Sequence, residues 1–158
     1  GIAAGALAIS IFSSSAFAAV TFDSSTGTGF VGKGDVQTVM GWNNKQLQDN
    51  ADSLDFTYTS IDTYEITVEW ITGDGTPGKK THTVEHIRTA NVRGDVAYDV
   101  RRQNQVTGFH LEGTEDVTES GSVPEEGDIF PGNSGHKVTD VKLVSSISTL
   151  YVNGKALQ

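Results

Sequence analysis

From Ser53 onward, apolar and polar positions alternate with a period of two. Leu54, Phe56 and Tyr58 interleave with Asp55, Thr57 and Thr59, and Tyr64, Ile66, Val68 and Trp70 interleave with Glu65, Thr67 and Glu69. Successive side chains of a strand point to opposite faces, so this pattern predicts strands with one buried face. Further strands are expected at 79–87, 92–100, 105–111, 137–147 and 149–152. The run Gly73-Asp74-Gly75-Thr76-Pro77-Gly78 is a turn by composition, and the strands beside it should form a hairpin. Asn153-Gly154, between Val152 and Lys155, is a two-residue hairpin signal because both residues tolerate positive φ.

Before Ser53 the period is different. Val20 and Phe22 mark a short first strand, followed by a Gly/Ser/Thr-rich loop over 23–34 with Phe30 and Val31 as apolar islands. Val36, Val39 and Met40 fall at helical spacing, with Asp35 read as the N-cap and Gly41 as the C-terminal glycine. Asn43 is placed to cap a second short helix carrying Leu47 and Ala51. Seven or eight strands in a chain of this size predict an all-β fold, an antiparallel β-sandwich or barrel of Ig-like or jelly-roll-like type, with a short helical element near the N-terminus.

The first eighteen residues stand apart because they carry no charge. Ala6-Leu7-Ala8-Ile9-Ser10-Ile11-Phe12 has the length and apolarity of a signal-peptide core, and Ala16-Phe17-Ala18 puts small residues at the −3 and −1 positions before Ala19. Residues 1–18 therefore read as a Sec-type secretory signal, and 19–158 as a single β-sandwich domain that is secreted, extracellular or held in the cell envelope. A retained segment of this kind would instead pack against a membrane or among copies in an assembly.

The formal net charge is −9 and the sequence pI is about 4.7. Such a surface repels nucleic acid and, once the signal is gone, anionic membranes. There is no cysteine, so no disulfide supports the fold.

Several motifs resemble catalytic chemistry. His82-Thr83-Val84-Glu85-His86 fits H-x-x-E-H, but zinc binding through it needs a helix. On the strand that the pattern predicts, the two imidazoles sit roughly 13 Å apart at 3.3 Å per residue, and Glu85 faces the other way. Pro131-Gly132-Asn133-Ser134-Gly135 resembles the nucleophile loop of chymotrypsin-like secreted serine proteases. The resemblance implies Ser134 as nucleophile, His82 or His86 as base, and Asp95 or Asp99 as the orienting acid. The chain departs from that family in continuing His136-Lys137 after the loop, and in having no Thr-Ala-x-His.

Binding chemistry has two further candidates. Glu115, Asp116, Glu119, Glu125, Glu126 and Asp128 fall in an acid-rich stretch, read as an exposed loop over 112–127, and are candidate calcium ligands. Trp42 and Trp70 are candidate stacking residues for a carbohydrate. No catalytic set is complete. The expected function is therefore an exported, non-catalytic structural or binding module at the cell surface or envelope, a subunit of an extracellular filament or other assembly. Its partners would be other protein subunits, copies of itself, or surface carbohydrate.

Overall fold

The structure is a computed structural model that describes the backbone of residues 11–13 and, in full, residues 20–132 and 135–157. The predicted cleavage region at 14–19 lies outside the described residues, as do Asn133 and Ser134. The architecture is antiparallel all-β with two short helices, as the alternation predicts.

Among the described residues there are eight strands: β1 (Ile11–Ser13), β2 (Thr21–Asp23), β3 (Thr28–Gly32), β4 (Phe56–Ile71), β5 (Pro77–Asp99), β6 (Gln105–Ser120), β7 (Lys137–Val152) and β8 (Lys155–Leu157). Their order in the sheet is β1-β2-β3-β6-β5-β4-β7-β8. Four of the strands are much longer than the predicted ones. Pattern reading breaks β4 near Asp62 and β5 near Asn91, where polar residues interrupt the alternation. Both residues have partners on a neighbouring strand: Asp62 accepts from Ser146 Oγ at 2.6 Å, and Asn91 Nδ2 donates to Asp116 at 3.0 Å. The predicted loop at 112–127 is strand as far as Ser120. Its acidic side chains are matched by β5, since Arg93 lies 3.5 Å from Glu115 and His86 lies 3.4 Å from Glu119.

The described residues fall into two compact units. The first contains the described residues from Ile11 to Ser60 together with Arg88–Thr118 and 148–157. Its core gathers Phe22, Tyr58, Phe109, Leu47, Leu150 and Leu157, all at most 2% exposed. Phe22 packs against Tyr58 with ring centroids 5.3 Å apart, and Phe56 against Phe109 at 5.5 Å. Helix α1 (Lys33–Met40) starts two residues before Asp35, which is therefore not its N-cap. Instead the buried Asp35 carboxylate reaches back to accept the Gly32 N–H at 3.1 Å, from the third helical position. Gly41 closes the helix at φ 69°, as expected of a C-terminal glycine. Asn43 caps α2 (Asn44–Asn50), accepting the Gln46 N–H at 2.8 Å. At the end of the unit, Asn153 and Gly154 both have positive φ and turn β7 into β8.

β1 pairs antiparallel with β2, matching Phe12 to Phe22, so three residues of the predicted signal are strand.

The second unit contains Ile61–Ile87 and Glu119–Ile147. Its core is Tyr64, Ile66, Val68, Val123 and Val138, with Trp70, Val84, Phe130, Val141 and Leu143 packed against it. The predicted turn closes the β4–β5 hairpin, with the Thr72 N–H donating to the Thr76 carbonyl at 2.8 Å. Asp74 accepts from the hydroxyl of Thr72 and from the Thr76 N–H, and these bonds pull its carboxyl down to about 2.

Candidate functional site

The H-x-x-E-H histidines lie on β5, as their β-branched neighbours require, and each is used locally. The His82 ring stacks on Phe130, centroids 4.2 Å apart, with Nε2 buried and without a hydrogen-bond partner. His86 Nδ1 lies 2.9 Å from the Gly121 carbonyl and Nε2 is 3.4 Å from Glu119. Glu85 is exposed. Within the protease-like loop, Pro131, Gly132 and Gly135 form turns, and Ser134 lies outside the described residues. Asp99, one candidate acid, accepts the Arg101 N–H at 3.0 Å and sits beside the Arg102 side chain at 3.6 Å. Asp95, the other, is exposed.

The six candidate calcium ligands are spread along strand and turn. Glu115 faces Arg93, Asp116 accepts from Asn91, and Glu119 faces His86. Asp128 accepts the Glu125 N–H at 2.9 Å, and Glu126 is exposed beside it. Among the described residues, no group of three or more His, Cys, Asp or Glu is arranged to hold a metal ion.

Both tryptophans are partly buried. Trp42 packs against the core of the first unit. Trp70 lies flat on His136, ring centroids 4.0 Å apart and planes 3° from parallel, and also covers Gly78. A Cβ at position 78 would come within 2.2 Å of Trp70 Cε2. The indole faces thus serve packing within each unit.

Two surface features were not anticipated from the sequence. One is a groove of about 410 Å³ in the first unit, lined among others by Asp52, Phe56, Gly94, Asp95, Tyr98 and Phe109. Tyr98 is 48% exposed, and its hydroxyl donates to Asp52 at 3.5 Å. An exposed ring beside carboxylates could have been suspected from Tyr98, but Asp52 is distant from it in sequence.

The other feature is the outer edge of β7. Val138 donates its N–H to the Asp128 carbonyl and accepts the Gly127 N–H, both at 2.8 Å, on the side away from β4. At the far end, Leu150 and Val152 are matched to Leu157 and Lys155 of β8 on that same side. Between these blocks, residues 139–149 have no strand beside them on that side among the described residues. Residues of an antiparallel strand direct both backbone polar groups to one side, and alternate residues take alternate sides. Counting in twos from Val138, the outward set is Asp140, Lys142, Val144 and Ser146. Val144 is 43% exposed and Ile147 is 60% exposed, so apolar side chains accompany this stretch of the edge.

Comparison with family models, with curated proteins and with solved structures gave no match.

Proposed function

We propose that this chain is an exported, non-catalytic structural module that joins a larger assembly by strand addition at the outer edge of β7. The observation that carries this reading is the stretch of β7 after Val138, which has no strand beside it on the side away from β4 among the described residues and carries exposed Val144 and Ile147. A row of unpaired N–H and C=O groups is a template for another strand, and proteins that stay monomeric usually cover, twist or crowd such a row with charge. Here the charged residues of the outward set, Asp140 and Lys142, lie at one end of it, and Val144 and Ser146 follow uncharged. Export rests on the uncharged segment 1–18 and the small residues before Ala19. The net charge of −9 is consistent with a protein partner and unfavourable for nucleic acid.

Sedimentation velocity of the native protein tests this reading. The expected result is a species heavier than the 16.8 kDa chain that dissociates on dilution. A monomer at every concentration, in the presence and absence of the other proteins of its compartment, would overturn it.

The groove beside Tyr98 supports a second reading, a secreted carbohydrate-binding module. An exposed aromatic ring beside two carboxylate acceptors suits a sugar face and its hydroxyls. Titration with neutral oligosaccharides, followed through the Gly94 and Val96 amide signals, should shift those signals if the reading holds. Unmoved signals would exclude it.

A further inference from the structure

We infer that the groove beside Tyr98 is a binding site for an organic ammonium ion, carried by a free alkylamine or by a lysine side chain. This goes beyond both readings above and stands on different observations.

The groove belongs wholly to the first unit, lined by residues between Ala51 and Phe56, by β5 between Gly94 and Tyr98, and by Phe109 of β6. Of the lining residues, Asp52, Asp95 and Tyr98 have polar side chains. The Tyr98 hydroxyl is the only side-chain donor among them, and it is already directed to Asp52. The side chains of the groove therefore offer a ligand acceptors: two carboxylates and the lone pairs of a phenol. A primary ammonium is the complementary group, with three N–H donors and no acceptor.

The two carboxylates are also uncompensated. Other acids of this unit have cations beside them: Asp49 has Lys45, Glu115 has Arg93, and Asp99 has Arg101 and Arg102. No ion pair among the described residues reaches Asp52 or Asp95. The net charge of −9 draws cations towards the whole surface, and these two acids leave a place where one can settle.

Tyr98 favours an organic cation over a metal ion. Its ring is 48% exposed, and an ammonium over such a ring is attracted by the negative face. Calcium takes about six to eight oxygen ligands, and no group of three or more His, Cys, Asp or Glu among the described residues is arranged to supply them. Gly94 keeps room for the ligand. Its φ is not positive, so the backbone does not require glycine there. A Cβ at 94 would stand 3.0 Å from Phe56 Cδ2, and a side chain would occupy the space that these two lining residues share.

The test is a titration of the full chain with n-butylammonium chloride, followed through the Gly94 and Val96 amide signals. These signals should move and saturate, and n-butanol, with the same stem and no charge, should leave them in place. The effect should weaken at about 1 M sodium chloride, where the screening length is about 3 Å. Asp52→Asn, Asp95→Asn and Tyr98→Leu should each weaken binding about two- to five-fold, the range of exposed ion pairs and ring contacts, with amide signals away from the groove unchanged. Tighter binding of Nα-acetyl-lysine N-methylamide than of n-butylammonium assigns the ion to a peptide partner, and equal binding assigns it to a free amine. If n-butylammonium moves nothing, or n-butanol moves the signals as far, the inference is overturned. Movement by neutral oligosaccharides in place of n-butylammonium keeps the carbohydrate reading and overturns this one. Stronger movement by calcium chloride than by n-butylammonium makes the cation inorganic and overturns it as well.

Discussion

The indole of Trp70 and the imidazole of His136 lie face to face, centroids 4.0 Å apart and planes 3° from parallel. Together with the His82–Phe130 stack, this contact fastens the segment leading into β7 onto the β4–β5 hairpin. Stacked ring pairs contribute about 0.5–1.5 kcal/mol beyond their buried area. His136→Ala should therefore lower unfolding free energy by about 1 kcal/mol in a urea titration. The Phe130 N–H to His136 carbonyl bond belongs to the backbone and survives the substitution.

Gly78 makes room for the same indole. A Cβ placed 2.2 Å from Trp70 Cε2 leaves the ring nowhere to lie, so Gly78→Val should displace it. The expected cost is about 1–3 kcal/mol, the usual range for overpacking. In a Trp42→Phe background, Trp70 emission should shift to the red as the ring moves into water. An unshifted spectrum would show that the hairpin adapts in some other way.

Asp74 gives the hairpin turn a pH dependence. Its carboxyl is held down at about 2, first by the Thr72 hydroxyl and then by Thr76, against a usual value of 3.8. A group whose pKa is depressed in the folded state contributes above its unfolded value, and the contribution fades as pH falls through the folded one. The turn should therefore keep its full support above about pH 4 and lose it towards pH 2. Following the Asp74 carboxyl signal by NMR checks the value. Asp74→Asn should remove this part of the pH dependence of the Thr72 and Thr76 resonances.

Asp35 is buried and accepts the Gly32 N–H at 3.1 Å. Replacing it with Ala leaves that donor without its acceptor at the start of α1, a loss of about 1–3 kcal/mol. Thermal unfolding of Asp35→Ala measures this loss. A transition at the parent's temperature would mean that water takes over the role.

Features fixed by neighbouring residues were legible in the sequence. The Asn153-Gly154 turn, the Gly41 helix end, the Asn43 cap and the alternating face of Phe56, Tyr58, Tyr64 and Ile66 all follow from local stereochemistry. Strand length was not legible, because polar residues were read as breaks. Asp62 and Asn91 are tolerated within strands by Ser146 and Asp116, partners far away in sequence. The acid-rich stretch after Glu112 was misread for the same reason: Arg93 and His86 on the adjacent strand match its charges. The open β7 edge was not legible at all. It depends on strand order, which leaves no local signal.

The most direct test of assembly through this edge is amide hydrogen exchange along β7 as a function of protein concentration. The outward amides of Asp140, Lys142, Val144 and Ser146 should exchange quickly in dilute protein and become protected as concentration rises. The inward amides of Val141, Leu143 and Ser145, which bond towards β4, should be protected at every concentration. If the four outward amides exchange at unprotected rates at all concentrations, no strand is added to this edge, and the account fails at its centre.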